Sequence, residues 1–274
     1  LAMSMRFLTA SALLGALLIV KQGWRILRVP WRELRGAVVV GVLLLGCGMG
    51  MVTIAEQYVP SGIVALIVAV MPVWVVLLRT VTGDRPRLAT WLGVFLGFAG
   101  LVILVHPGAD VANVPGATDE QRALWSMLLP LGTMCWAFGS FLQPRIRTPR
   151  DPLVLSTYEM FAGSAALGLA GLVSGEDPSG LVEGTSASWW AWVYLVVIGS
   201  LLAYSTYVWI VGHAPLSLVS TYAYVNPVVA VLLGFVILRE PITGGLLVGG
   251  IVILGGVALV VSGERQRGPR PSRG

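Results

Sequence analysis

Charge is what this chain has least of. Only 11% of its 274 residues are charged, while 56% are hydrophobic and the mean hydropathy is +0.85. A water-soluble protein carries roughly a quarter charged residues. So few charges cannot clothe a globular surface, which excludes a soluble domain and leaves lipid as the covering. Cysteine is scarce too. Cys47 and Cys135 both lie in apolar runs, which excludes a disulfide framework or a thiolate metal site. His106 and His213 are the only histidines, and each sits beside a helix end. No His-rich cluster, no paired intramembrane carboxylates and no Ser–His or Cys–His spacing is visible, so neither an enzyme nor a metal or cofactor centre is expected. Gly46, Gly48 and Gly50 resemble a phosphate loop at first sight, but no strand precedes them and no lysine follows; close helix approach explains them better.

What is present is a series of long apolar runs. A bilayer core needs about 20 apolar residues per helix, and nine such spans can be read: 5–20, 36–54, 61–78, 88–106, 123–142, 153–173, 189–211, 216–238 and 244–261. The fold class is therefore all-α, a polytopic transmembrane bundle. Linkers of four or five residues, as around Pro215 and Pro241, make neighbouring helices antiparallel. The period-2 alternation of a membrane barrel is absent.

The charges that do exist are sorted. All basic residues except Arg6, Arg122 and Arg239 fall in segments 21–35, 79–87, 143–152 and the tail beyond 262. Glu56, Asp110, Asp119, Glu120, Glu176, Asp177, Glu183 and Glu240 fall opposite. By the positive-inside rule the first group is cytoplasmic, with the C-terminus. The formal charge of +5 thus faces anionic lipid, and no nucleic-acid partner is expected.

The chain also repeats itself. An offset of 155 residues pairs Pro60 with Pro215, Pro72 with Pro227, Pro86 with Pro241, Gly100 with Gly255 and Gly108 with Gly263. On this basis residues 1–108 form a first repeat of four spans, 109–122 an outer linker, 123–263 a second repeat of five spans, and 264–274 a cytoplasmic tail. Span 123–142 has no mate, so one further helix is expected before Leu1, giving ten in the intact protein. Five helices per repeat make the second enter the membrane inverted, as in secondary transporters.

Particular segments now carry a likeness. Glu56 to Gly62 leading into Met71 to Trp74, the loop Gly83 to Pro86 before Gly93, Gly97 and Gly100, Trp136 to Gly139, and the run Pro215 to Pro227 followed by Arg239 to Pro241 together resemble the EamA-type branch of the drug/metabolite transporter superfamily. The resemblance covers nearly the whole chain. It implies two five-helix repeats, a central cavity between them, and export of small metabolites.

Glu159 is read as the one ionisable side chain well inside a span, about 9 Å deep at 1.5 Å per residue. Burying a carboxylate costs a few kcal/mol, so such groups commonly face a cavity and work. A low-dielectric site favours the neutral form, which suits a proton carrier; snorkelling towards the cytoplasmic surface, or pairing with Arg145 or Arg147, is the plainer alternative. Pro72 and Pro227, at matched mid-span positions, each free a carbonyl one turn back and serve as hinges or as static kinks. Thr133, Trp136, Tyr204, Tyr207, Tyr224 and Asn226 supply hydroxyl, amide and aromatic groups away from helix ends. They either line a substrate cavity or bond helix to helix. Glu56 is an outer gate or a solvated helix end.

These readings converge on a secondary transporter of small metabolites, working by alternating access between inverted repeats. Its partners are a small-molecule substrate and membrane lipid, with a homodimer left open. A passive channel, or a non-transporting scaffold, is the rival. The sequence names no substrate: amino acids, nucleobases, amphipathic drugs and sugar derivatives all fit.

Overall fold

A computed structural model describes residues 1–83, 88–105, 114–177, 179, 184–214, 216–219, 222, 226, 229, 233–239, 242 and 244–265. Its long helices are α1 (Ala2–Gln22), α2 (Trp31–Ala55), α3 (Ser61–Val81), α4 (Leu88–Val105), α5 (Asp119–Leu142), α6 (Pro152–Val173), α7 (Ser186–His213) and α8 (Gly244–Arg265). Among the described residues, six helices are long and apolar enough to cross a membrane. Of the nine expected spans, 88–106 and 244–261 are present as α4 and α8 but are not among these six, and much of 216–238 lies outside the described residues.

Local chemistry sets the ends. Asp151 caps α6 by accepting from the backbone N–H groups of Leu153 (2.8 Å) and Val154 (3.3 Å), with Pro152 in the first turn. Thr185 caps α7 through Ser188 N–H. Gly23 closes α1 at φ 80°, a conformation that a side chain would resist. Arg28 lies 3.7 Å over Trp24 and Arg145 3.5 Å over Phe141, cations held on aromatic faces near span ends.

Three helices depart from regularity. α3 breaks at Ala69–Val70 into Ser61–Val68 and Met71–Val81, with Pro72 in the first turn of the second piece. The sequence expects a bend beside this proline, and the interruption lies just before it. α2 and α7 contain π-helical stretches at Val42–Met49 and Leu195–Tyr204. Adding 155 to the first gives 197–204, inside the second, so the two wide turns are repeat mates.

The chain divides into two compact units, each drawn from both sequence halves. Unit 1 holds 1–50 and 139–214; unit 2 holds 51–138 and 215–274. Within unit 1, α1 packs on α6. Ser4 Oγ donates to the carbonyl of Ser164 and Ser11 Oγ to that of Thr157, both at 2.8 Å. One helix ascends seven residues as the other descends seven, so they are antiparallel. α2 approaches the other side of α6 so closely that a Cβ on Gly41 would stand 2.4 Å from the carbonyl oxygen of Glu159. Within unit 2, α4 packs on α8: a Cβ on Gly100 would meet Ile253 N at 2.7 Å, and one on Gly256 would meet Gly97 N at 2.5 Å. That pairing is antiparallel too. At the 155-residue offset, α6 is the mate of α1 and α8 of α4. Antiparallel mates are what an inverted repeat demands.

Polarity runs inside out in one unit only. In unit 1, Leu8, Leu17, Phe161, Leu169 and Leu202 are exposed, while Ser11, Ser140, Ser156, Glu159 and Ser200 are buried. The outward apolar face belongs in lipid. Unit 2 is apolar inside, with Val59, Ile63, Ile67, Val73, Leu129, Ile253 and Val257 forming one core. Without water to drive association, small residues and interhelical hydrogen bonds hold these helices together.

Candidate functional site

Glu159 is fully buried in unit 1, about a third of the way along α6. Tyr204, where the π-helical stretch of α7 ends, donates its phenol O–H to Glu159 Oε2 at 2.9 Å. Glu159 Oε1 has no hydrogen-bond partner among the described residues. Of the two arginines expected as alternative partners, Arg145 donates to the carbonyl of Phe141 at 2.6 Å and stacks on that ring. Arg147 lies at a cavity beyond the end of the span.

Tyr207 follows Tyr204 on α7, with ring centroids 6.5 Å apart, and shares a 2.6 Å hydrogen bond with Ser140. One turn further, Gln143 Nε2 donates to the carbonyl of Val208 at 3.2 Å, and Gln143 Oε1 has no partner among the described residues. Beyond this layer opens a cavity of about 710 Å³, lined among others by Gln143, Leu155, Val208, Arg147, Arg150 and His213. The interior of unit 1 is therefore a stack of polar layers ending at a solvent-accessible chamber.

One charge needs correcting. Arg6, read from sequence as an outer flank, lies inside α1 and is 6% exposed. Its Nε donates to Ser200 Oγ at 2.9 Å, and its guanidinium sits 5.0 Å from the Phe7 ring centroid. The helix begins at Ala2, which draws Arg6 inward, and a polar partner on α7 makes that burial tolerable. Glu159 is thus not the one ionisable group inside a span. An arginine in an apolar run was the available signal; Ser140, Gln143 and Ser200 offered none.

The remaining candidates lie in unit 2. Thr133 Oγ donates to the carbonyl of Pro130 (2.8 Å) and accepts from Trp74 Nε1 (2.9 Å). Trp136 is half-buried against the cluster of Met71, Val75 and Ala137. Thr133→Val should cost ~0.6 kcal/mol and at most about 1.7, as intramembrane hydrogen bonds do; unfolding in detergent micelles measures it. Asn226 is helical and exposed, and Glu56 is exposed in the turn after α2. Tyr224 and Pro227 lie outside the described residues, as does the side chain of Pro72. Glu159, Tyr204 and Tyr207 are therefore brought together in one unit, Thr133 and Trp136 in the other.

Comparison with known proteins agrees with this architecture. The EamA-like transporter family matches residues 1–106 and 123–262. An uncharacterized inner membrane transporter of Escherichia coli, YedA, is 37% identical over 230 residues, spanning 84% of this chain and 70% of that one. Protein PecM of Dickeya dadantii is 28% identical over 228 residues, spanning 81% and 72%. A solved crystal structure superposes with a TM-score of 0.65 at 22% identity, covering 94% of this chain and 86% of the other, a likeness of fold. The chain belongs to the EamA-like transporter family: it is a multi-pass membrane transporter and not an enzyme.

Proposed function

We propose that this member of the family is an alternating-access carrier exporting a small, partly apolar metabolite, with Glu159 as its proton-carrying group. The observation that carries the reading is the antiparallel packing of repeat mates, α1 on α6 and α4 on α8. An inverted pair can exchange roles, so that what opens on one side in one state opens on the other side in the next. A channel needs no such equivalence.

Tyr204, Tyr207, Thr133, Trp136, Tyr224 and Asn226 supply the substrate wall in this reading. Pro72 and Pro227 supply bends, and Glu56 guards the outer mouth. The interruption of α3 at Ala69–Val70 supports the hinge at Pro72. The membrane is a bacterial inner membrane, and the 143–152 loop and the C-terminus face the cytoplasm, since the arginines cluster there.

Counterflow in proteoliposomes tests the carrier. Vesicles are loaded with unlabelled amino acids, nucleobases, amphipathic drugs or sugar derivatives in turn, and uptake of the labelled compound is followed. A carrier shows transient accumulation stimulated from the far side for at least one class. Equilibration without stimulation would make the protein a pore and end the proposal.

A further inference from the structure

Glu159 must reach water to gain or lose a proton, yet it is fully buried. The larger opening in unit 1 approaches it from one side. Leu155 and Val208 both line the 710 Å³ cavity. Each lies four residues from a member of the buried pair, Leu155 from Glu159 on α6 and Val208 from Tyr204 on α7. At 1.5 Å per residue the cavity floor is about 6 Å from the carboxyl layer. At that floor lies Gln143, 3% exposed, whose Nε2 donates to the carbonyl of Val208 while its Oε1 has no partner among the described residues. A buried acceptor without a protein partner is where an ordered water binds.

In this conformation the opposite direction is barred. Ser200 lies four residues before Tyr204, and Arg6 is bonded to it. The contacts of Ser4 with Ser164 and Ser11 with Thr157 put Arg6 on the side of Glu159 away from the cavity. A buried guanidinium repels an approaching proton strongly where the dielectric is low.

Resting on the reading of Glu159 as a proton carrier, we infer that it exchanges its proton with the 143–152 side of the membrane through this cavity, across the layer of Gln143, Leu155 and Val208. A hydronium in the cavity passes its proton through water at the Gln143 layer to Glu159 Oε1, leaving water behind and a neutral carboxylic acid. The reverse step returns the proton to water and restores the carboxylate. Tyr204 O–H donates to Oε2 in both states and positions the group. Gln143 holds the water and does not itself ionise.

The other titratable groups are few. Of the elements against α6, α1 brings Arg6, the α2 contact is glycine and leucine backbone and side chain, and α7 brings Tyr204 and Tyr207. Glu33, Arg147, Arg150 and His213 line the cavity itself. A second groove in unit 1, about 460 Å³, is lined by Asp151, Leu201, Leu202, Ser205, Thr206 and Trp209, with Ser205 Oγ also buried and without a partner among the described residues, and provides the competing route.

Infrared spectroscopy of the protein in lipid vesicles tests this. The carboxylic C=O band lost in Glu159→Gln identifies the group, and its shift in heavy water times its exchange. Gly212 lines the cavity and a Cβ there meets nothing within 4 Å, so Gly212→Cys in a Cys47→Ala, Cys135→Ala background accepts a bulky thiol reagent as a plug. Plugging should slow exchange about tenfold, as a barrier raised by roughly 1.4 kcal/mol would, and Gln143→Leu should do the same without a label. The same reagent on Leu202→Cys should change nothing. Unchanged exchange in both cavity variants, or slowing through Leu202→Cys alone, overturns the route while leaving the carrier role intact. A band that titrates at no pH overturns the proton role itself, and the route with it.

Discussion

Glu159→Gln is expected to reduce uptake driven by a pH gradient to the level of protein-free vesicles while leaving counterflow of the same solute intact. The amide carbonyl still accepts from Tyr204 O–H, so the helix contact in unit 1 is kept. What is lost is the ability to bind and release a proton. Because a buried charge is costly unless paired and fully hydrogen-bonded, and Oε1 is unpartnered, the neutral variant should unfold at an equal or higher temperature. Stability and coupling therefore move in different directions, which a merely structural role for Glu159 would not produce. Gradient-driven uptake at the wild-type rate would remove Glu159 from the mechanism.

The second large effect is expected at Gly41. A Cβ there would lie 2.4 Å from the carbonyl oxygen and 2.6 Å from the Cα of Glu159. Both atoms are backbone, so no side-chain rotation makes room and α2 must back away from α6. Overpacking of this kind costs about 1–3 kcal/mol, and Gly41→Leu should exceed Gly41→Ala. Since the atoms displaced belong to Glu159 itself, gradient-driven uptake should fall along with thermal stability. Gly212→Ala, where nothing lies within 4 Å, serves as the control and should leave both unchanged. A Gly41→Ala protein as stable as the wild type would mean that the helices do not pack as described.

Much of this was legible in the sequence, for identifiable reasons. Transmembrane spans announce themselves because lipid demands long apolar runs, so α1, α5, α6 and α7 begin and end within a few residues of where hydropathy alone puts them. Glu159 was legible because a carboxylate in such a run is costly and therefore conspicuous. Its partner was not: several tyrosines and serines line α7, and which one meets α6 depends on the rotation of two helices. Arg6 was misjudged because it stands close to the start of an apolar run, where the sequence does not say whether it faces lipid headgroups or protein. The wide turns in α2 and α7 were invisible, since Gly46, Gly48 and Gly199 read equally well as ordinary small-residue contacts. Their recurrence at the repeat offset becomes apparent only once both are seen.

The way the chain is threaded has a consequence for its history and its biogenesis. A polypeptide cut in the segment around 106–122 would yield two fragments, each owning half of two cores and the whole of neither. Neither piece could bury its polar residues alone, and the pair would have to meet in the bilayer before either core existed. An ancestor encoded as two separate genes would have been an obligate heterodimer with interwoven subunits. In the ribosome's order of synthesis, the first half must wait in the membrane, half-assembled, for the second.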